Sequence, residues 1–262
     1  MQNKLFRLSM VAALAGFLFG FDTVVISGAD QKLQTLWQST DFFHGTVVMG
    51  MALWGTVIGA LFGGWPTQRI GRKKTLFWIG ILYSVSAVGS ALAQDPVSFA
   101  VFRFLGGLGI GASTIAAPAY ISEIAPAKDR GRLVGFYQFM IVFGILVAFL
   151  SNYLLEGIGP NDWRWMMGVE AFPALAYTAM VFFVPMSPRW LVSKDRVDEA
   201  KSVLQILGSD LSIDDLVKDH AHSQSVQGLS ESVLDKKYRF PLTLAILLAF
   251  FNQFSGINAF LY

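Results

Sequence analysis

The sequence predicts an all-α polytopic membrane protein, and three observations lead to that prediction. Of the 262 residues, 54% are hydrophobic, and the mean hydropathy is +0.52. Only 15% are charged, whereas a soluble domain carries about 25%. Seven windows hold about 20 mostly apolar residues each, the length that one membrane-spanning helix requires: 8–28, 46–65, 75–94, 97–121, 133–155, 165–186 and 241–262.

The first window resembles a secretory signal only superficially. Lys4 and Arg7 precede it, and Ser27-Gly28-Ala29 fits a small-x-small cleavage rule. The apolar run is nevertheless about 20 residues long, against 7–15 in a signal peptide, and it contains Asp22. We therefore interpret it as an uncleaved first transmembrane helix.

Basic residues alternate between the two sides of the predicted spans. Of the 20 Lys and Arg residues, 17 lie before the first window or in every second connection. The intervening connections hold only Lys32 and Arg164, and Arg103 lies within a span. Because cytoplasmic connections are enriched in Lys and Arg, we expect the N-terminus in the cytoplasm.

Three domains follow from this pattern. Residues 1–186 are predicted to form a six-helix transmembrane bundle, and 241–262 a seventh transmembrane helix that begins an incomplete second bundle. Residues 187–240 between them are polar. There we predict a cytoplasmic helical linker, because apolar residues recur at helical spacing: Val197, Ala200, Val203, Leu204 and Leu207.

Several function classes are excluded. The net charge is only +2, so no basic field indicates nucleic-acid binding. The chain has no cysteine, and His220 and His222 form an isolated pair, so we expect no metal and no cofactor. Residues 107–112 match a dinucleotide-binding glycine pattern, but no strand precedes them. We predict that the chain is not an enzyme.

Two charges lie inside predicted spans. Asp22 is about six residues from the outer end of the first span, and Arg103 is about six residues from the outer start of the fourth. At 1.5 Å per residue, both lie about 9 Å below the outer surface and could pair. A charge in hydrocarbon costs a few kcal/mol and usually serves a function. The pair is either a static structural ion pair or a protonatable switch.

Amide side chains are the other unusual polar groups in the spans. Gln138 lies in the fifth span, and Asn252, Gln253 and Asn258 lie in the seventh. Such amides either join helices or contact a ligand. With aromatic neighbours they suit a neutral polyhydroxylated ligand, because an amide offers both donors and acceptors.

Seven motifs in order along the chain resemble the sugar porter family of the major facilitator superfamily. That family includes bacterial proton-coupled xylose, galactose and arabinose symporters and animal glucose facilitators. The motifs are GFLFGFDTVVISG (16–28), GGWPTQRIGRKKTL (63–76), RFLGGLGIG (103–111), PAYISEIAPAKDRGRLVGFYQ (118–138), WRWMMGVEAFPAL (163–175), PMSPRWL (185–191) and NQFSGIN (252–258).

The resemblance implies a twelve-helix transporter of two halves that rock around a central sugar site. Asp22 matches the carboxylate of proton-coupled members, where facilitative animal relatives have an uncharged residue, and Arg103 matches its partner. Sugar contacts are implied at Gln138, Ile141, Ile145, Asn252, Gln253 and Asn258. A cytoplasmic latch is implied at Arg72, Lys73, Glu123, Arg130 and Arg189.

The chain departs from the family pattern at three positions. Gln68 stands where Asp or Asn is usual, Met186 replaces a glutamate, and Asn252 replaces a glutamine. Met186 and Gln68 are expected to weaken the latch. Asn252 shortens one amide by a methylene, which leaves the substrate preference open.

The chain ends at Tyr262, so five helices expected of the family are absent, and we expect a partial chain that needs a second half. The predicted function is proton-coupled import of a monosaccharide across the bacterial inner membrane, with sugar, protons and the bilayer as partners. One alternative is a facilitative uniporter. Another is a non-transporting sugar sensor, an accessory membrane protein or an inactive fragment.

Overall fold

The computed structural model describes residues 2–207, 212–227 and 236–254. These residues form helices and no strand. Six helical segments among them are long and apolar enough to cross a membrane, which confirms the predicted all-α polytopic class. They are Lys4–Gly28, Asp41–Arg69, Arg72–Leu92, Pro96–Ile124, Ala127–Leu155 and Asp162–Phe182.

Several segments are built from more than one helical element. A 3₁₀ turn, Ile26–Gly28, follows the first helix, and a π-helical stretch, His44–Met49, lies within the second segment. The α-helices are α1 (Gln2–Val25), α2 (Asp30–Trp37), α3 (Asp41–Phe43), α4 (Met51–Phe62), α5 (Gly64–Arg69), α6 (Arg72–Leu92), α7 (Pro96–Ile124), α8 (Ala127–Leu155), α9 (Asp162–Gly168), α10 (Ala171–Phe182), α11 (Pro188–Val192), α12 (Val197–Leu207), α13 (Ile213–Gln227) and α14 (Lys236–Phe254).

The chain divides into two compact units, Met1–Ile213 and Asp214–Tyr262. The first unit contains α1 to α12, so its helices extend past residue 186 into the predicted linker. In the second unit, α14 includes a shorter apolar helix, Tyr238–Phe251. The end of the predicted seventh span, 255–262, lies outside the described residues. The domain boundaries at 186 and 240 stay predictions.

Helix α7 lies at the centre of the first unit. It packs against α1, α4 and α6, while α1 packs along α8 and α6 packs against α10. The core between them combines small and aromatic residues, including Ala13, Leu18, Tyr83, Ala117 and Tyr177. Because α7 contacts several helices, its glycines determine how closely those helices can pack.

Glycines allow the backbones of α4 and α7 to approach closely. A Cβ atom at Gly55 would collide with the carbonyl oxygen of Phe104, and one at Gly111 with that of Thr56. The same close approach joins α1 to α8, where a Cβ at Gly20 would collide with the Ile141 carbonyl. Four-residue spacing of small residues thus sets these helix contacts, as it does in many membrane bundles.

We expect Gly111→Ala to destabilise the bundle by about 1–3 kcal/mol, because the added methyl group forces two backbones apart. Gly135→Ala is the matched control, since a Cβ at this helical position meets nothing within 4 Å. Thermal unfolding of the two purified variants in detergent measures the difference. Equal melting temperatures would refute the role of Gly111.

Asp95 caps the N-terminus of α7. Its carboxylate accepts hydrogen bonds from the backbone amides of Val97, at 3.0 Å, and Ser98, at 2.9 Å, and from the Ser98 hydroxyl at 2.7 Å. The bonds from Ser98 and Val97 lower the pKa of the Asp95 carboxyl below its usual value. The ionised cap therefore stabilises the start of the helix that carries Arg103.

We expect Asp95→Ala to lower the melting temperature at pH 7, whereas Asp95→Asn keeps an acceptor and has a smaller effect. Because the folded-state pKa lies below the unfolded value of about 3.9, the contribution is complete above that value. It is lost as the pH falls through the folded-state pKa. Thermal scans of both variants between pH 7 and pH 3 test this. A deficit in Asp95→Ala that stays constant to pH 3 would contradict it.

Candidate functional site

The two charged residues predicted inside the spans meet in the structure. Arg103 on α7 and Asp22 on α1 are 1% and 0% exposed. One guanidinium nitrogen of Arg103, Nη1, donates to Asp22 Oδ1, and the other, Nη2, donates to the Asp22 main-chain oxygen at 2.9 Å. Both helices are therefore joined by a fully buried ion pair.

Glu170 belongs to the same cluster, and it is not among the site residues predicted from the sequence. It precedes α10 directly and is 0% exposed. Its carboxyl group lies within electrostatic range of Asp22 and Arg103. Among the described residues, neither of its oxygens has a hydrogen-bond partner. The sequence does contain a signal for a buried charge at this position. Glu170 is an acidic residue within the apolar window 165–186, and it belongs to the motif at 163–175.

Gly106 makes room for the cluster. It lies one turn after Arg103 on α7, where a Cβ atom would come within 3.5 Å of Asp22 Oδ2 and collide with the Ser86 hydroxyl. Among the described residues, the Oδ2 atom of Asp22 and the Ser86 hydroxyl have no hydrogen-bond partners. The cluster therefore contains buried polar atoms without hydrogen bonds next to Gly106.

The cluster contains two carboxyl groups and one guanidinium group. If both carboxyl groups are ionised, one net negative charge remains in an apolar interior, where an uncompensated charge is costly. One proton on either carboxyl group makes the cluster electrically neutral.

The predicted sugar contacts on α8 share one helix face. Gln138 is exposed, and Ile141 and Ile145 are half-buried at the i+3 and i+7 positions. The helical spacing places the three side chains along a single stripe. Asn252 and Gln253 belong to α14, and nothing is described of their side chains. Asn258 lies outside the described residues.

The predicted latch is partly assembled at the end of the bundle that bears the α6 N-terminus. Arg72 pairs with Glu123, with Nη2 and Oε1 2.7 Å apart, and the Ser187 hydroxyl donates to Oε2 of Glu123. Arg130 donates to the carbonyl of Ser122, next to Glu123, at 3.0 Å. Ser187 was not among the predicted latch residues.

The remaining latch residues, Lys73 and Arg189, belong to α6 and α11. The Lys73 ammonium lies 5.8 Å from the centroid of the Phe182 ring, and Arg189 is in the short helix α11. The backbone carbonyl of Gln68 accepts a 2.8 Å hydrogen bond from the Trp190 indole. The backbone at position 68, where the side chain departs from the family pattern, is therefore tied to α11. The roles of the latch residues stay predictions.

Comparison with known proteins identifies transporters. The family model "Sugar (and other) transporter" matches residues 8–262. The D-xylose-proton symporter of Escherichia coli K12 is 33% identical over 303 residues, covering 100% of this chain and 60% of the symporter. The galactose-proton symporter of the same strain is 37% identical over 262 residues, covering 98% and 55%.

A solved structure supports the same relationship. The partially occluded, inward-open form of the E. coli xylose transporter XylE superposes with a TM-score of 0.84 at 32% identity. The match covers 98% of this chain and 65% of XylE. The chain therefore spans about 60% of the length of the curated xylose symporter that it matches.

Removal of the cation tests how the charged cluster is held together. We expect Arg103→Leu to lower the free energy of unfolding by about 3–5 kcal/mol, because it leaves buried carboxylates without a counter-charge. The double variant Asp22→Asn/Arg103→Leu recovers most of this loss, since only Glu170 then remains and can hold a proton. Equilibrium unfolding in detergent measures both variants. A double variant as unstable as the single one would contradict the arrangement.

Proposed function

Because this chain belongs to the sugar transporter family, we propose that it acts in the proton-coupled import of a monosaccharide. The observation that carries the proposal is the buried cluster of Asp22, Arg103 and Glu170 in the membrane-spanning segments. The related E. coli proteins are described as proton symporters for xylose and galactose, which favours proton coupling over facilitated diffusion.

The cluster supplies the proton site. In the outward-facing state the Asp22–Glu170 pair takes up a proton from outside, and the cluster becomes neutral. When the proton lies on Asp22, the remaining carboxylate charge is on Glu170, so Arg103 no longer has a charged partner on α1. The helices α1 and α7 are then free to shift. After the carrier opens inward, the proton leaves and the Asp22–Arg103 pair re-forms. One bound proton thereby accompanies each inward transition of the loaded carrier.

The sugar site includes the stripe formed by Gln138, Ile141 and Ile145. The amide donates to and accepts from sugar hydroxyl groups, and the two isoleucines contact the apolar C–H faces of the ring. Further contacts from Asn252, Gln253 and Asn258, implied by the family resemblance, are part of the proposal.

The proposed orientation of the carrier in the membrane is based on the distribution of basic residues. We place the protein in the bacterial inner membrane with its N-terminus in the cytoplasm, because the Lys- and Arg-rich connections then face inward. The Arg72–Glu123 pair and Ser187 lie on that side. They are proposed to latch the inward face closed while the outer face is open.

We expect Asp22→Asn to abolish uphill sugar accumulation and leave sugar exchange intact, because the amide cannot carry the proton. Glu170→Gln is expected to shift the pH dependence of uptake through loss of one member of the carboxyl pair. Sugar uptake by both variants, each expressed from its native reading frame, is measured in proteoliposomes with and without an imposed proton gradient.

Asp162→Asn is the matched control. Asp162 is a buried carboxylate, 3% exposed, but it pairs with Lys32 at 2.6 Å and not with Arg103. We expect this variant to retain uphill sugar accumulation. Unimpaired accumulation in Asp22→Asn would overturn the coupling mechanism, and binding of sugar without flux in the unmodified protein would identify a sensor.

A further inference from the structure

We propose that a groove between α6, α7 and α10 binds one phospholipid whose head group carries a primary ammonium group. The groove has a volume of about 810 Å³. One end of it is polar, and the rest is lined by apolar side chains: Ile81, Val85, Val88, Leu92, Phe102 and Leu175. Binding of a lipid here requires neither sugar nor protons, so it is independent of the proposed transport.

The groove depends on the missing side chain of Gly89. A Cβ atom at this position would come within 2.2 Å of the Phe102 ring, so the ring lies directly against the α6 backbone. Val88 and Leu92 on α6 and Leu175 on α10 line the groove and are exposed. The groove is therefore accessible from the surface of the membrane-spanning part of the unit, where acyl chains are the surrounding solvent.

The length of the groove matches one leaflet of a bilayer. Along α6 the apolar lining runs from Ile81 to Leu92, which is about 16 Å at 1.5 Å per residue. The hydrocarbon core is about 30 Å thick, so one leaflet, the outer one in the proposed orientation, provides about 15 Å. Next to Ile81 the helices α6 and α10 meet, since a Cβ atom at Gly80 would lie 2.3 Å from the Thr178 hydroxyl oxygen. A spanning helix needs the full thickness of the core, whereas a lipid acyl chain occupies a single leaflet.

The polar end of the groove suits a cationic head group. Gln94, Asp95 and Ser98 line it, and they follow the end of the α6 span, at the level where lipid head groups lie. Among the described residues that line the groove, none is Lys or Arg. Arg164 donates to the Ala91 carbonyl in the last turn of α6, at 2.7 Å, but it is not part of the lining. The Asp95 carboxylate therefore sets the sign of the charge at this end.

Asp95 has acceptor capacity left for one more donor. A carboxylate offers about four lone-pair sites, and its helix cap uses three: Oδ1 accepts from the amides of Val97 and Ser98, and Oδ2 accepts from the Ser98 hydroxyl. Asp95 is also exposed. A primary ammonium group donates N–H bonds, the trimethylammonium of choline has no N–H, and phosphatidylglycerol has a net negative charge. The polar end therefore selects phosphatidylethanolamine.

Native mass spectrometry of the purified chain tests the head-group preference. The probes are phosphatidylethanolamine, phosphatidylcholine and phosphatidylglycerol with identical acyl chains. We expect one retained phospholipid, with phosphatidylethanolamine bound about 2–5-fold more tightly than phosphatidylcholine, the ratio that one exposed ionic contact provides. Asp95→Asn removes this preference and still binds lipid. Asp41→Asn is the matched control and keeps the preference, because Asp41 is an exposed carboxylate that accepts from the Gln34 amide at 2.7 Å and lies outside the groove lining.

A variant that fills the groove tests where the lipid binds. Leu175→Trp places a larger side chain in the lining and is expected to weaken the binding of all three lipids at least about 10-fold, which corresponds to excluding about two methylene groups of the acyl chain. Phe172→Trp is the matched control, since Phe172 is also exposed on α10 but does not line the groove. It is expected to bind lipid like the unmodified chain.

Thermal unfolding in detergent gives a second measurement. A ligand that binds only the folded state stabilises it, so phosphatidylethanolamine is expected to raise the melting temperature of the unmodified chain and of Phe172→Trp, but not of Leu175→Trp.

Four outcomes would overturn the proposal. Tighter binding of phosphatidylglycerol than of phosphatidylethanolamine contradicts the charge at the polar end, and so does a preference that survives in Asp95→Asn. Equal lipid binding by Leu175→Trp and the unmodified chain places the lipid elsewhere. A lipid-free dimer that Leu175→Trp dissociates identifies a second copy of the chain as the occupant of the groove.

Discussion

The pairing of Asp22 with Arg103 is the constraint on which the rest of the first unit depends. Neither charge is stable alone in a hydrocarbon environment, so α1 and α7 must remain at a common depth and in direct contact. Their contact fixes the centre of the bundle. The other helices are arranged so that this centre stays closed to water and lipid.

Glycines on α4 and α7 allow the helices to pack closely around the ion pair. A guanidinium reaches a carboxylate and a main-chain oxygen at once only if the helices carry little bulk around it. Gly106 provides that space beside Asp22, and Gly55 and Gly111 bring α4 onto α7. The same sequence row that superficially matches a dinucleotide-binding pattern is thus a packing surface. Gly107 and Gly111 of this row face α4, and Gly106, which directly precedes the row, lies beside Asp22.

The ion pair leaves nearby polar atoms without hydrogen bonds. Among the described residues, Asp22 Oδ2 and both oxygens of Glu170 have no hydrogen-bond partner. A proton on either carboxyl group would remove the net negative charge of the cluster, and this charge balance is the basis of the proposed coupling to protons.

The sequence by itself determined the helical class, the first six of the seven predicted membrane-spanning segments and the family, because hydrophobic length and ordered motifs are local properties of the chain. It also placed Asp22 and Arg103 at equal depth, since helix rise converts residue number into height. Only the tertiary structure placed Glu170 beside the Asp22–Arg103 pair and the Lys73 ammonium 5.8 Å from the centroid of the Phe182 ring. Rise along a helix says nothing about rotation around it, and the direction of a side chain is decided when neighbouring helices pack.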